Sequence, residues 1–222
     1  GELEALARKI YALPNVEPAS HSFSHPFNWR ALLLDGPVEV KHAQLHLDVP
    51  NYKFDLATEM RGSLDYIDRK LLAAGKRTGV FLWTGDCVVP EIGLQAAADA
   101  GVVAMNGGET LITRSRASWT LIAPVGLRRG RWFQVYAPNQ NENTYTNDWK
   151  GPFHGFERVI ETYEMTEAPL RFKPVNIYYH IYALTKPASI RALHRIYDYA
   201  LSRPLFPVFG SEYARKAIDF AP

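Results

Sequence analysis

His21 and His25 stand four residues apart in VEPASHSFSHPFNW (Val16 to Trp29), two of the seven histidines in a chain of 222 residues. One turn of helix puts residues at that spacing on one face, where both imidazoles reach a single divalent ion. The pair lacks the glutamate of a His-Glu-x-x-His helix, and Pro26 ends any helix at once, which argues against a metalloprotease. The bland alternative is a histidine-rich loop whose rings bond to backbone. His42 and His46 in KHAQLHLDV repeat the spacing inside an alternating, strand-like segment from Val38 to Val49. In an extended chain the ends of that span lie about 13 Å apart, too far for one ion, so this pair reads as solvated or structural. His180 closes VNIYYH, Asp86 follows FLWTG, and Asp148 and Trp149 lie beyond the polar stretch NQNENTYTND. His21, Asp86 and His180 share the C-terminal ends of predicted strands, where α/β folds gather their chemistry.

The elements that must position these residues alternate along the chain. Leu3, Leu6, Ala7 and Ile10 predict a helix that Pro14 stops, and Val16 to Ser20 reads as a short strand. Asp55 caps a helix with Met60, Leu64, Ile67 and Leu71 on one face and Gly75 at its end. Gly79 to Trp83 is a buried-strand run, Pro90 opens a helix that closes at Gly101, and Val102 to Met105 is another strand. Two strand-like pieces fall within Leu121 to Pro138, and NQNENTYTND is expected to be loop. Phe156 to Met165 reads as helix and Val175 to Tyr182 as strand. A helix follows with Ile190, Leu193, Ile196, Tyr197 and Leu201 on one face, and a last one begins at Ser211. Strands alternating with helices predict a parallel α/β fold, either a barrel or an open sheet.

Composition narrows the function. The chain is 47% hydrophobic, enough for one domain with a sizeable core, and carries 25 Lys and Arg against 23 Asp and Glu. The basic residues are scattered, so nucleic acid is not an expected partner. No apolar run is long enough to span a bilayer. Cys87 is the only cysteine, which rules out an internal disulfide.

HSFSHPF resembles the His-(Ser/Thr)-x-x-His motif of polysaccharide deacetylases, the NodB-homology group of carbohydrate esterases. More closely, EPASHSFSHPFNW, WTGDCVVPE and NIYYHIYALTKP together resemble the C-terminal deacetylase domain of PelA-type exopolysaccharide proteins, in order and over essentially the whole chain. The resemblance implies a single deacetylase-like domain over residues 1–222, built as a distorted (β/α) barrel of about seven strands. It implies a divalent metal, with zinc the expected ion, held by His21 and His25, and His180 as general acid. Asp148 falls among the catalytic groups, and Trp149 and Asp86 face the sugar. The implied reaction removes N-acetyl groups from a hexosamine-containing exopolysaccharide in the bacterial periplasm or outside the cell. A glycoside hydrolase domain is implied upstream in the same chain.

The departures are specific. The family's first motif supplies two aspartates, a catalytic base and a third ligand, and nothing before His21 matches it. The sequence runs from Gly1 directly into a helical pattern, so that strand and its aspartates are expected upstream, and metal affinity without them is expected to be weak. Where the third motif has arginine and proline, this chain has Gly85-Asp86-Cys87 and Pro90. The fourth, Asp-x-x-Asp-Trp, survives as Asp148-Trp149, because position 145 is tyrosine. Two other classes stay open at this level: a non-catalytic carbohydrate-binding barrel, and another metal-dependent amidohydrolase.

Overall fold

The computed structural model describes residues 1–34, 37 and 44–221. The chain divides into two compact units, one of Gly1–Gly107, Gly126–Tyr136 and Val208–Pro222, the other of Gly108–Val125 and Ala137–Pro207.

The first unit holds the sheet. Helix α1 (Glu2–Tyr11) precedes β1 (Ala19–Ser20), shorter than the Val16 to Ser20 strand expected, and α2 (Trp29–Leu33) follows. Asp55 caps the next helix as its position predicts, accepting from the Thr58 amide and hydroxyl at 2.7 Å each. That helix opens with a π turn, Thr58–Gly62, before the regular α3 (Ser63–Lys70). Strand β2 (Val80–Leu82), α4 (Glu91–Asp99) and β3 (Val103–Met105) continue the alternation, and β4 (Gly126–Arg129) and β5 (Trp132–Val135) form a hairpin. The strands lie in the order β1-β2-β3-β5-β4. The first four in that order run parallel, and β4 is antiparallel to β5.

The sheet and helices meet over an aromatic core. Phe81 and Trp83 are two apart and share a strand face. Both are fully buried, as is Trp29. Trp83 meets Trp29 edge-on at 5.1 Å and Phe81 at 4.9 Å. Met60, Leu64, Leu94 and Ala97 close this core from the helices. The last helix, α8 (Gly210–Phe220), packs on β3 and β5 through its buried Ser211, Ala214 and Ala217.

The second unit is helical. Its elements are α5 (Glu142–Tyr145), a 3-10 segment Phe153–Arg158 that runs into α6 (Val159–Met165), and α7 (Pro187–Leu201). Tyr145, Phe156, Val159, Tyr163, Ala192 and Ile196 form its core. Two expectations fail here. Val175 to Tyr182 forms no strand: residues 174–180 have no regular secondary structure, and Ile181–Thr185 is a 3-10 turn. Its alternation is satisfied, since Val175, Ile177 and Tyr179 all pack on the core. All five strands of the sheet belong to the first unit, and the Asn176 carbonyl accepts from the Tyr163 hydroxyl at 2.7 Å. The stretch NQNENTYTND is not all loop either. It contains α5, whose cap is Asn141 accepting from the Asn143 amide at 3.0 Å.

Of the extended segment predicted from Val38 to Val49, residues 38–43, with His42, lie outside the described residues. Gln44 to Val49 forms no strand, though the Leu45 carbonyl accepts from Phe27 and the Leu47 amide donates to Ser24. No helix among the described residues is long and apolar enough to cross a membrane.

Candidate functional site

The histidine pair sits on the loop that leaves β1. Ser22 (φ 65°) and His25 (φ 53°) both adopt the left-handed region, which costs a residue with a Cβ roughly 1–2 kcal/mol each. The two imidazoles lie 5.1 Å apart between centroids, edge to face. Nδ1 of His21 lies 2.9 Å from the Leu82 carbonyl oxygen at the end of β2. A carbonyl only accepts, so Nδ1 carries the proton and the lone pair of the neutral ring is on Nε2.

Contacts from three directions fix this loop. Glu59, buried in the π turn, accepts from the Phe23 amide at 2.8 Å, the Ser24 amide at 2.9 Å, the Ser24 hydroxyl and the Tyr52 hydroxyl at 2.7 Å. A relay runs from the Ser22 amide to the Ser20 hydroxyl, on to Ser63, and from Ser63 to the Glu59 carbonyl. From the far side, the Thr84 hydroxyl donates to the Pro26 carbonyl at 2.6 Å and the Asp86 amide to Phe27 at 3.0 Å. Burial first, and the Glu59 carboxylate after it, push the Tyr52 phenol up to about 12 despite a bond to the Asp55 carbonyl that lowers it.

Two imidazoles sharing a tetrahedral ion, with nitrogens about 2 Å from it, have ring centroids about 5 Å apart. The observed separation matches, and a ligating histidine ordinarily hands its other N–H to a carbonyl, as His21 does. The pair therefore has the ring spacing of two ligands to a zinc-like ion. Among the described residues no group of three His, Cys, Asp or Glu side chains is arranged around one point. Asp86, predicted to face the sugar, turns one carboxylate oxygen to the Val88 amide at 3.0 Å. Its neighbour Cys87 has a thiol that burial pushes up to about 12, which leaves it inert as a nucleophile. His46 is apart from the pair in its contacts, with Nδ1 at 2.7 Å from the Leu47 carbonyl and its ring against Tyr52 and Phe54.

In the second unit His180, itself extended at φ -91° and ψ 141°, stands directly before the 3-10 turn. Its Nδ1 lies 2.9 Å from Oε1 of Glu142, with the histidine 23% and the glutamate 1% exposed. Tyr182 stacks on the His180 ring at 4.8 Å and 12°. Trp149 meets Tyr182 at 4.4 Å and His180 at 6.1 Å. Three successive residues, Asn147, Asp148 and Trp149, take positive φ, and the Asp148 amide donates to the Asn143 carbonyl at 3.0 Å. Strain of this kind concentrates where side chains must be aimed, and here it delivers the Trp149 ring to the His180 cluster. Asp148 itself is exposed. The carboxylate paired with His180 is Glu142. Trp29 and Trp83, by contrast, are fully buried core and offer no face to a sugar.

Sequence reasoning singles out His21, His25, His180 and Trp149; the structure adds Glu59, Glu142 and Tyr182 as their neighbours, which sequence reasoning does not single out. A glutamate in a first helical turn reads as a partner of the helix dipole, and one in a polar run reads as solvated. Neither position announces a buried carboxylate. Comparison with family models, curated proteins and solved structures finds no match for this chain.

Proposed function

We propose that the protein is a metal-dependent deacetylase acting on N-acetylhexosamine units of an exopolysaccharide, with its mostly parallel sheet forming part of a distorted (β/α) barrel. The observation that carries this is the His21–His25 pair, 5.1 Å apart with the His21 Nδ1 proton committed to Leu82. What supports the polymer, the zinc and the extracytoplasmic setting is the resemblance in sequence.

An amide carbonyl is a poor electrophile and water a poor nucleophile near neutral pH; an ion bound by His21 and His25 supplies Lewis acidity to both. Three further roles fall to this chain's own residues: holding the two ligands, protonating the leaving amine and stacking the sugar; the base that takes the water's proton would be an aspartate of the family's first motif. Leu82 holds the His21 tautomer that presents Nε2 as ligand, and the clamped loop holds His25 beside it. His180 donates a proton from Nε2 to the departing amine nitrogen, without which the amine does not leave. Glu142, acceptor-only when ionised, keeps the other proton on Nδ1 and offsets the positive charge of the protonated ring. Trp149 and Tyr182 offer apolar faces on which a pyranose ring stacks.

Acetate release from an N-acetylglucosamine oligomer by protein that carries the first-motif aspartates as well tests the assignment, measured with zinc, with cobalt and with a chelator. Release that needs the ion and is lost in His25→Ala, with partial recovery in excess metal, is the expected result. No release with any divalent ion, or release indifferent to His21→Ala and His25→Ala, overturns it.

A further inference from the structure

We propose that Glu59 is the positioning residue of the two-histidine loop, a role that gains catalytic meaning from the metal reading above but can be measured without it. The loop pays for its shape at two places, Ser22 and His25, both left-handed. The amides lying between them, Phe23 and Ser24, both donate to one oxygen of Glu59, Oε2. The other oxygen, Oε1, takes the hydroxyls of Ser24 and Tyr52. The carboxylate is fully buried, and a buried charge is tolerated only where donors surround it. Four donors do so here, three of them from the loop itself. Charge-assisted bonds are the strong ones, so the carboxylate offsets the backbone strain that places His21 and His25 together. Tyr52 adds a second hold, because its ring meets Phe23 edge-on at 4.9 Å while its hydroxyl reaches Glu59.

The geometry also predicts which substitution is tolerated. Backbone amides can only donate, so Oε2 must remain an oxygen. Hydroxyls both donate and accept, so the Oε1 position can be an NH₂ group that donates to Ser24 and Tyr52. Glu59→Gln, with its oxygen toward the two amides, therefore keeps the clamp, whereas Glu59→Ala abolishes it.

The experiment compares wild type, Glu59→Ala and Glu59→Gln by NMR of the histidine imidazoles in metal-free protein, amide exchange at Phe23 and Ser24, and calorimetric titration with zinc. In Glu59→Ala the His21 and His25 ring signals should move, both amides should exchange faster, and zinc affinity should fall ~10- to 100-fold, the usual effect of removing the support of a ligand. Glu59→Gln should restore all three. Unchanged ring signals and exchange in Glu59→Ala, or a folded Glu59→Gln that behaves like Glu59→Ala, overturns the proposal. If Glu59→Ala does not fold, Ser24→Ala takes its place, and an unmoved His25 signal there counts against the clamp. Failure of the wild type to bind zinc removes the metal reading alone, because the ring signals and exchange still decide what Glu59 does.

Discussion

Glu142 dictates which nitrogen of His180 keeps a fixed proton, and in the proposed deacetylase an acid at His180 has to deliver from the other one. His180→Ala is therefore expected to lower turnover on an N-acetylated sugar oligomer by about 10²- to 10⁴-fold, with Glu142→Gln falling in the same direction because it blurs the tautomer. Both losses should be smaller on nitrophenyl acetate, whose leaving group departs unprotonated. Equal losses on the two substrates would reject the acid role. A second residue makes a prediction about stability. Lys173 is 5% exposed, with its ammonium 3.3 Å from the Pro124 carbonyl, and burial lowers its pKa. The unfolded chain then holds that proton more tightly than the folded one, so stability rises with pH between the lowered value and the ordinary lysine value. Lys173→Met should flatten that slope in urea titrations across the alkaline range, and an unchanged slope would show that another group causes it.

Among the elements, the turn after β2 leaves no room for a side chain at its glycine. Gly85 has φ 59°, and a Cβ there would fall inside the backbone of Phe27. The Asp86 amide bonds to the same residue. Gly85→Ala should cost at least ~2 kcal/mol and disturb the His25 ring signal, since Phe27 and His25 rings lie 5.2 Å apart; a stable variant with native histidine signals would contradict this. Helices were legible here because their signals are local: the Asp55 cap, the Met60 and Leu64 face, Pro90 before α4. The run 175–180 was misread because alternation reports which side chains face a core and is silent about whether a neighbouring strand exists. The carboxylates of the candidate site were illegible for a different reason. Glu59 acts on residues 35 and 36 positions away, and Glu142 on one 38 away, and no local pattern encodes such pairings.

Over the whole molecule, the alternating rhythm predicted an α/β protein, and a mostly parallel five-stranded sheet is what forms; strand order is set by packing between distant segments and could not be read. Tyrosines in both units share one property. Burial pushes Tyr52, Tyr197 and Tyr213 up to about 12 and raises Tyr145 and Tyr163 as well. The neutral phenols are favoured by the fold, so their contribution is complete below pH 10 and is lost as pH climbs from there through the raised values. Ultraviolet titration should show these five ionising late or together with unfolding, and thermal stability should fall from about pH 10 upward. A smooth titration of all twelve tyrosines near their ordinary value in folded protein would contradict the burial described.

The edge-on contact of Trp29 and Trp83 has an optical consequence. Two indoles 5.1 Å apart and inclined at 83° have coupled electronic transitions, so the far-ultraviolet circular dichroism should carry a bisignate band unrelated to helix or strand content. Trp29 follows the histidine loop directly in sequence, and its indole donates to the Thr84 carbonyl at 3.2 Å, beside the Thr84 hydroxyl that holds Pro26. The band is thus a signal native to the protein for the layer beneath His21 and His25. Its disappearance in Trp29→Phe with the rest of the spectrum intact would identify it, and its amplitude would then follow the order of that layer without any added label.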